Sequence, residues 1–168
     1  VAVLLRAVAR VAHPGLHLTV VGDGPEENAL KRLAAELAIE EQVTFSGLRD
    51  DVDLLLRATD IVVHPALWHE AFGLTIAEGM SCGCAVVASR VGAVPELISD
   101  GETGILVPPG DVDALAASLK RLIGDSSLRA LLGGNARTRV SERFRLERSV
   151  ASHLDRCEAV ARRGSAAG

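Results

Sequence analysis

His64–Pro65–Ala66–Leu67–Trp68–His69–Glu70–Ala71–Phe72–Gly73–Leu74–Thr75–Ile76–Ala77–Glu78–Gly79–Met80 follows the short apolar run Asp60–Val63. The run reads as a strand bounded by His64–Pro65, and a helix is predicted from about Leu74 to Cys82. Strand, loop and helix in this order make half of a βαβ unit. Glu70 falls in the loop, and Glu78 falls about one turn inside the helix. A helix start offers unpaired backbone N–H groups and a positive dipole end, which suits a phosphate. Gly73 lacks a side chain, so an anion can approach its backbone closely. Carboxylates on either side of an anion site fit a ligand with hydroxyls at both ends and phosphates between, such as a nucleotide-sugar. Glu70 reads equally as a solvated loop acid or a cap on the helix. Glu78 lies in sequence among Ile76, Ala77 and Met80, where a charge is costly unless paired, by a ribose diol or a nearby Arg.

The same alternation extends in both directions. Helix is expected over 2–12, ended by Pro14–Gly15, then strand over Leu16–Val21 and a tight turn at Gly22–Asp23–Gly24–Pro25. Helix 27–38, strand Val43–Phe45 and helix Asp51–Ala58 lead to the strand at Asp60. After the central helix come strand Ala85–Ala88, a helical piece at Val94–Ile98 and strand Thr103–Val107. Asp111 or Asp113 caps a helix reaching Ile123, and helices 126–140 and 146–162 follow. The strands are short and apolar without alternation, the pattern of a parallel sheet covered by helices on both faces. The expected class is therefore α/β.

The chain has 168 residues, 48% hydrophobic, with a net charge of -4. That is enough for one domain. One Trp, three Phe and no Tyr leave few faces for stacking on nucleic-acid bases, so no nucleic-acid partner is expected. Residues 1–119 carry 7 basic and 17 acidic residues, whereas 120–168 carry 11 and 5. The basic end reads as solvated helix faces, or as a contact with an acidic domain or an anionic membrane surface. Cys82, Cys84 and Cys157 match no disulfide framework, which suggests a reducing cytosol and buried thiols. No stretch is apolar and long enough to span a bilayer.

In an open α/β sheet, ligands bind beyond the carboxyl ends of the strands. Four loops belong there: Gly22–Pro25, Ser46–Asp51, His64–Gly73 and Ser89–Glu96. Gly22-x-Gly24 is explained as well by a short turn as by phosphate contact. Arg49 and Arg90 stand in two of these loops, as phosphate partners or as surface charges. His64 and His69 flank the central loop, but no third metal ligand is evident from spacing, so no metal is expected.

Taken together, Glu70–Ala71–Phe72–Gly73–Leu74…Glu78–Gly79–Met80, Val20–Val21–Gly22–Asp23–Gly24–Pro25, Val43-x-Phe45-x-Gly47 and Asp100–Gly101-x-Thr103–Gly104-x-Leu106–Val107–Pro108–Pro109–Gly110–Asp111 resemble, in order, the large family of retaining glycosyltransferases of GT-B fold. The resemblance covers nearly the whole chain and corresponds to the C-terminal, donor-binding, Rossmann-like half of a two-domain fold. It implies that Glu70 holds hydroxyls of the donor hexose and is the catalytic-site residue. It implies that Glu78 holds the ribose hydroxyls, that Phe72, Gly73 and Leu74 lie beside the diphosphate and sugar, and that Gly22 and Gly24 line the nucleotide. Leu48 and Arg49, after Gly47, frame the base. No metal or other cofactor is implied, the donor being UDP- or GDP-linked. Ala71, Gly79, Ala85 and Ala93 depart from the family's usual residues.

The resemblance implies a retaining hexosyltransferase acting on an unidentified sugar, lipid-linked sugar or small molecule. The cysteines and the basic C-terminal part add the expectation of a cytoplasmic protein, with peripheral contact at the inner membrane face as a further possibility. The alternative is a non-catalytic nucleotide or nucleotide-sugar binding module. Residues 1–163 form the donor domain in this reading and 164–168 a frayed tail. The chain opens on Val1, directly in a helical pattern, so the acceptor domain, the family's Gly-Arg…Lys-Gly motif and the first strand are expected to precede it. In a sheet of order 3-2-1-4-5-6 that strand separates Leu16–Val21 from Asp60–Val63.

Overall fold

The computed structural model describes residues 1–144, 150 and 154–157. Five parallel strands alternate with helices. Helix α1 (Ala2–Val11) precedes β1 (Leu18–Val21), α2 (Glu27–Glu36), β2 (Val43–Gly47), α3 (Val52–Arg57) and β3 (Ile61–His64). Helix α4 (Leu74–Cys82), β4 (Ala85–Ser89), α5 (Val94–Leu97), β5 (Ile105–Val107), α6 (Val112–Gly124) and α7 (Ser126–Arg143) follow. The predicted elements over 1–144 all form, with their ends shifted by a few residues. Strand β1 starts at Leu18 because Leu16 N–H closes a turn onto the His13 carbonyl at 3.1 Å. Strand β5 starts at Ile105 because the Thr103 hydroxyl accepts from Ser99 N–H at 2.9 Å. The first of the two last predicted helices runs on to Arg143. Of the expected helix 146–162, residues 150 and 154–157 are helical; the rest of it, and the tail 164–168, lie outside the described residues.

The strands form two parallel groups, β2–β1 and β3–β4–β5. Strand β1 does not pair with β3. The expected break between second and fourth strand is therefore present, and among the described residues no strand pairs with either group there. Both groups nevertheless feed one core: Leu18, Phe45, Ile61 and Val63 pack against the buried cluster of Leu5, Val8, Val87, Val107, Leu119 and Leu122. On the opposite face, Val62, Val86 and Ala88 pack with Ile76 and Met80 of α4, Leu97 of α5 and Ala136 of α7. Alternate residues of β4 thus enter opposite cores, and the whole strand is buried.

Specific polar contacts fix the helices. Asp111 Oδ1 accepts from Ala114 N–H at 2.9 Å and caps α6, leaving Asp113 to pair with Arg10 of α1. Asp125 caps α7 through Leu128 N–H. Gly133 lets α7 lie directly on the end of α4, since a Cβ there would stand 2.0 Å from the Gly83 carbonyl oxygen.

Candidate functional site

Because all paired strands are parallel, their carboxyl ends fall on one edge of each group. Each predicted loop lies at such an end. At the ends of β1 and β2, Gly22 N–H donates to the Gly47 carbonyl at 2.8 Å, joining the two loops. Gly22 and Gly47 have φ of 110° and 64°, a region that side chains disfavour. Gly24 is exposed and its carbonyl accepts from Glu27 N–H, opening α2. Leu48 projects into solvent, 76% exposed.

Arg49 is paired with a neighbouring carboxylate. Its Nε and Nη2 donate to the two carboxylate oxygens of Asp51 at 2.7 and 2.6 Å. This two-point hydrogen bond raises the Arg49 pKa and lowers that of Asp51. Arg90, in the loop after β4, is likewise bound to Asp100 at 2.5 Å. Both phosphate candidates of the sequence therefore have carboxylates of their own. The loop spacing exposed the cations but not the partners.

The centre of the site is the loop between β3 and α4. The Glu70 side chain is 26% exposed. Its Oε1 accepts from the backbone N–H groups of Phe72 at 3.2 Å and Gly73 at 3.1 Å. Those bonds, Phe72's first, hold the carboxyl below the ordinary range, against the opposing effect of burial. Oε2 faces His64 Nε2 at 3.6 Å. The backbone of Glu70 is gripped as well: its carbonyl accepts from Ala93 N–H at 2.9 Å. Gly92 lies so close that a Cβ there would stand 2.1 Å from the Glu70 carbonyl oxygen.

This geometry revises the simplest form of the anion-site expectation. At the helix start expected to face an anion, the Gly73 N–H is occupied by Glu70, whereas the Leu74 N–H has no hydrogen-bond partner among the described residues. Glu70 is neither the free loop acid nor the side-chain cap of α4 that the sequence left open: its Oε1 ties the turn just before the helix. Gly73 caps α4 at φ 90°, which explains glycine at this position. Phe72 is half-exposed, with one edge against the ring of Phe144 at 5.6 Å, a contact that sequence spacing could not reveal. Glu78 corrects a second expectation: it is exposed rather than buried among apolar neighbours. Ile76, Gly79 and Met80 form the buried face of α4, whereas Leu74 and Glu78 share its open face four residues apart. Among the described residues nothing pairs with Glu78.

Among the described residues, no group of three or more His, Cys, Asp and Glu side chains is arranged to hold a metal, and no helix is long and apolar enough to cross a membrane.

Residues 1–139 match the sequence profile of the family described as Glycosyl transferases group 1. The chain belongs to this family. It is 38% identical over 136 residues to the N-acetyl-alpha-D-glucosaminyl L-malate synthase of Bacillus anthracis, covering 81% of this chain and 35% of that protein. In structure it is similar to Anabaena HepE solved in complex with UDP, with a TM-score of 0.85, 32% identity, and coverage of 91% of this chain and 44% of HepE. It is also similar to the C-terminal domain of the group 1 family protein LpcC from Francisella tularensis, with a TM-score of 0.78 and 30% identity over 86% of this chain and 79% of that one. The fold is therefore the C-terminal half of a GT-B glycosyltransferase. The chain spans less than half the length of the curated relatives it matches.

Proposed function

We propose that the protein containing this chain transfers a hexose, with retention, from a UDP- or GDP-linked donor to a sugar, lipid-linked sugar or small-molecule acceptor. This chain is its donor-binding part. The observation that carries the proposal is the Glu70 carboxylate, held at Oε1 by two backbone N–H groups at a helix start, beside the carboxyl ends of the strands. A fixed carboxylate there can receive sugar hydroxyls through Oε2. Glu78, one turn along the open face of α4, can receive a ribose diol. The N–H of Leu74 and the dipole of α4 face the phosphates between them and stabilise the diphosphate as it leaves. Gly22, Gly24 and Leu48 line the nucleotide side. Arg49 serves through the loop it braces, its guanidinium being bound to Asp51. The structure of HepE with UDP supports a nucleotide-sugar donor.

The remaining parts of the proposal draw on the resemblance to the family. The reaction needs no metal, and the protein works in the cytoplasm, with peripheral membrane contact open to it. Residues 1–163 belong to the donor domain. A strand of the same polypeptide preceding Val1 fills the break between β1 and β3 and brings cationic groups to the phosphates, and an acceptor domain completes the cleft. The isolated chain is inactive. The non-catalytic alternative, a nucleotide-binding module, draws on the internal pairing of Arg49 and Arg90.

Calorimetric titration of the full-length protein with UDP-glucose, UDP-N-acetylglucosamine and GDP-mannose tests this reading, followed by turnover assays with the donor that binds best. Glu70→Ala is expected to abolish most turnover while leaving free nucleoside diphosphate affinity nearly intact, because that ligand lacks the sugar. Equal weakening of both ligands refutes the assignment of Glu70. Binding without turnover in the full-length protein favours the module.

A further inference from the structure

We propose that His64 is a positioning residue for Glu70, fixing the oxygen that meets the transferred sugar; this rests on the reading of Glu70 given above. The Glu70 carboxylate has one oxygen restrained by two backbone N–H groups and the other turned toward His64 Nε2. Two donors on a single oxygen leave the carboxylate free to swing about that oxygen. A third restraint on Oε2 removes this freedom. His64 is well placed to supply it, as the last residue of β3 and 18% exposed, with its backbone held in the sheet opposite Ala88.

The Nδ1 atom of His64 strengthens the argument. Among the described residues it is the buried side-chain nitrogen or oxygen that lacks a hydrogen-bond partner. A neutral imidazole carries one N–H. A proton on Nδ1 would be buried with no acceptor, whereas a proton on Nε2 faces a carboxylate. The proton therefore belongs on Nε2. The separation of 3.6 Å is longer than a hydrogen bond. Closing it by about 0.6 Å turns the contact into an Nε2–H···Oε2 hydrogen bond, and a sugar hydroxyl on Oε2 then meets an oriented carboxylate.

Sequence spacing alone cannot supply this inference, because the loop of Pro65 to His69 separates the two residues. They meet because Ala93 N–H and Gly92 hold the Glu70 backbone against the turn after β4, returning the loop to the end of β3.

The test uses the full-length protein and the panel donor it turns over best, with UDP or GDP as the binding probe. His64→Phe keeps the ring volume without nitrogen. His64→Gln restores an N–H near the Nε2 position. We expect His64→Phe to lower kcat about 30-fold, between the effects of sub-ångström and ångström misplacement, with diphosphate affinity changed less than about threefold. Gln should recover most of that loss, and His64→Phe should add nothing in a Glu70→Ala background. Wild-type kcat in His64→Phe, with Glu70→Ala inactive, overturns the role of His64 alone. A joint fall in kcat and diphosphate affinity, without rescue by Gln, shows a structural histidine and also overturns it. If Glu70→Ala keeps full turnover, the reading of Glu70 falls. Histidine-15N spectra then decide the coupling: an Nε2–H ring at His64 that changes on Glu70→Ala upholds it, and an unchanged ring refutes it.

Discussion

Gly92→Ala is the substitution with the sharpest expected effect. It adds one methyl group and removes no polar contact. Gly92 has φ of 50°, so an Ala there carries the left-handed backbone penalty of about 1–2 kcal/mol. Its Cβ would stand 2.1 Å from the Glu70 carbonyl oxygen, 2.7 Å from its nitrogen and 2.9 Å from its carbonyl carbon. Protein Cβ atoms essentially never approach within 3.0 Å of another heavy atom, so one side must move by roughly 0.9 Å. The turn of Gly92 leads straight into α5, whose Val94 and Leu97 are fully buried. The loop on the other side carries the exposed Leu67, Trp68 and His69. The loop therefore yields, and Glu70 moves with it.

A shift of that size strains the local Glu70 bonds to Phe72 and Gly73 N–H, now 3.2 and 3.1 Å. On the proposed reading it also displaces the carboxylate from the sugar. A misplacement near 1 Å costs on the order of 100-fold in rate. Gly101→Ala is the control. Its φ is 78°, and a Cβ there meets nothing within 4 Å, so it incurs the backbone penalty without the displacement. In full-length protein, kcat/KM of Gly92→Ala should fall about 100-fold below that of Gly101→Ala, with similar melting temperatures. Diphosphate affinity should be nearly unchanged in both. A kcat/KM for Gly92→Ala within about threefold of the control, a ratio too small for a shift near 1 Å, refutes the argument that Glu70 is clamped by this turn.

Three other substitutions probe separate parts of the molecule. Glu78→Ala should weaken binding of the nucleoside diphosphate by about 1–3 kcal/mol on titration, the scale of hydrogen bonds to a charged group; unchanged affinity removes Glu78 from the ribose. Gly133→Ala, whose Cβ would lie 2.0 Å from the Gly83 carbonyl oxygen, should force α7 off α4 and destabilise the fold by about 1–3 kcal/mol in denaturant melts; an unaltered midpoint contradicts the close helix contact. Burial pushes the Cys84 thiol up to about 11. The unfolded chain releases that proton near 9, so stability contributed by the neutral thiol is complete below pH 9 and is lost as pH rises toward 11. Melting temperature should accordingly fall more steeply over that window in the wild type than in Cys84→Ala, and parallel curves exclude the effect.

The fold was legible because hydrophobic runs are local. Asp60–Val63 and Ala85–Ala88 announce strands without reference to anything else, and order along the chain then places their ends together. The break between β1 and β3 could be foreseen because it follows from strand order rather than side-chain detail. The loops that gather at the strand ends were legible in the sequence, but the pairing of their side chains was not. Nothing within Ser46–Asp51 distinguishes an arginine waiting for phosphate from one already held by Asp51 through two bonds. Glu78 was misjudged because its sequence neighbours are apolar, whereas helical periodicity turns it away from Ile76 and Met80.

Glu70 shows why this difference matters for function. As an isolated acid in a loop it could sample many directions, and its attraction for a hydroxyl would be offset by the entropy of holding still. The fold removes that freedom in steps. Gly92 and Ala93 fix its backbone, Phe72 and Gly73 fix one oxygen, and His64 faces the other. Each restraint comes from a different stretch of chain, and the first exists only because β3 and β4 are neighbours in the sheet. On the proposed reading, preorganisation of this kind directs the carboxylate at a sugar hydroxyl without rearrangement at the moment of reaction. A sequence motif records the carboxylate, while the neighbouring strands supply its direction.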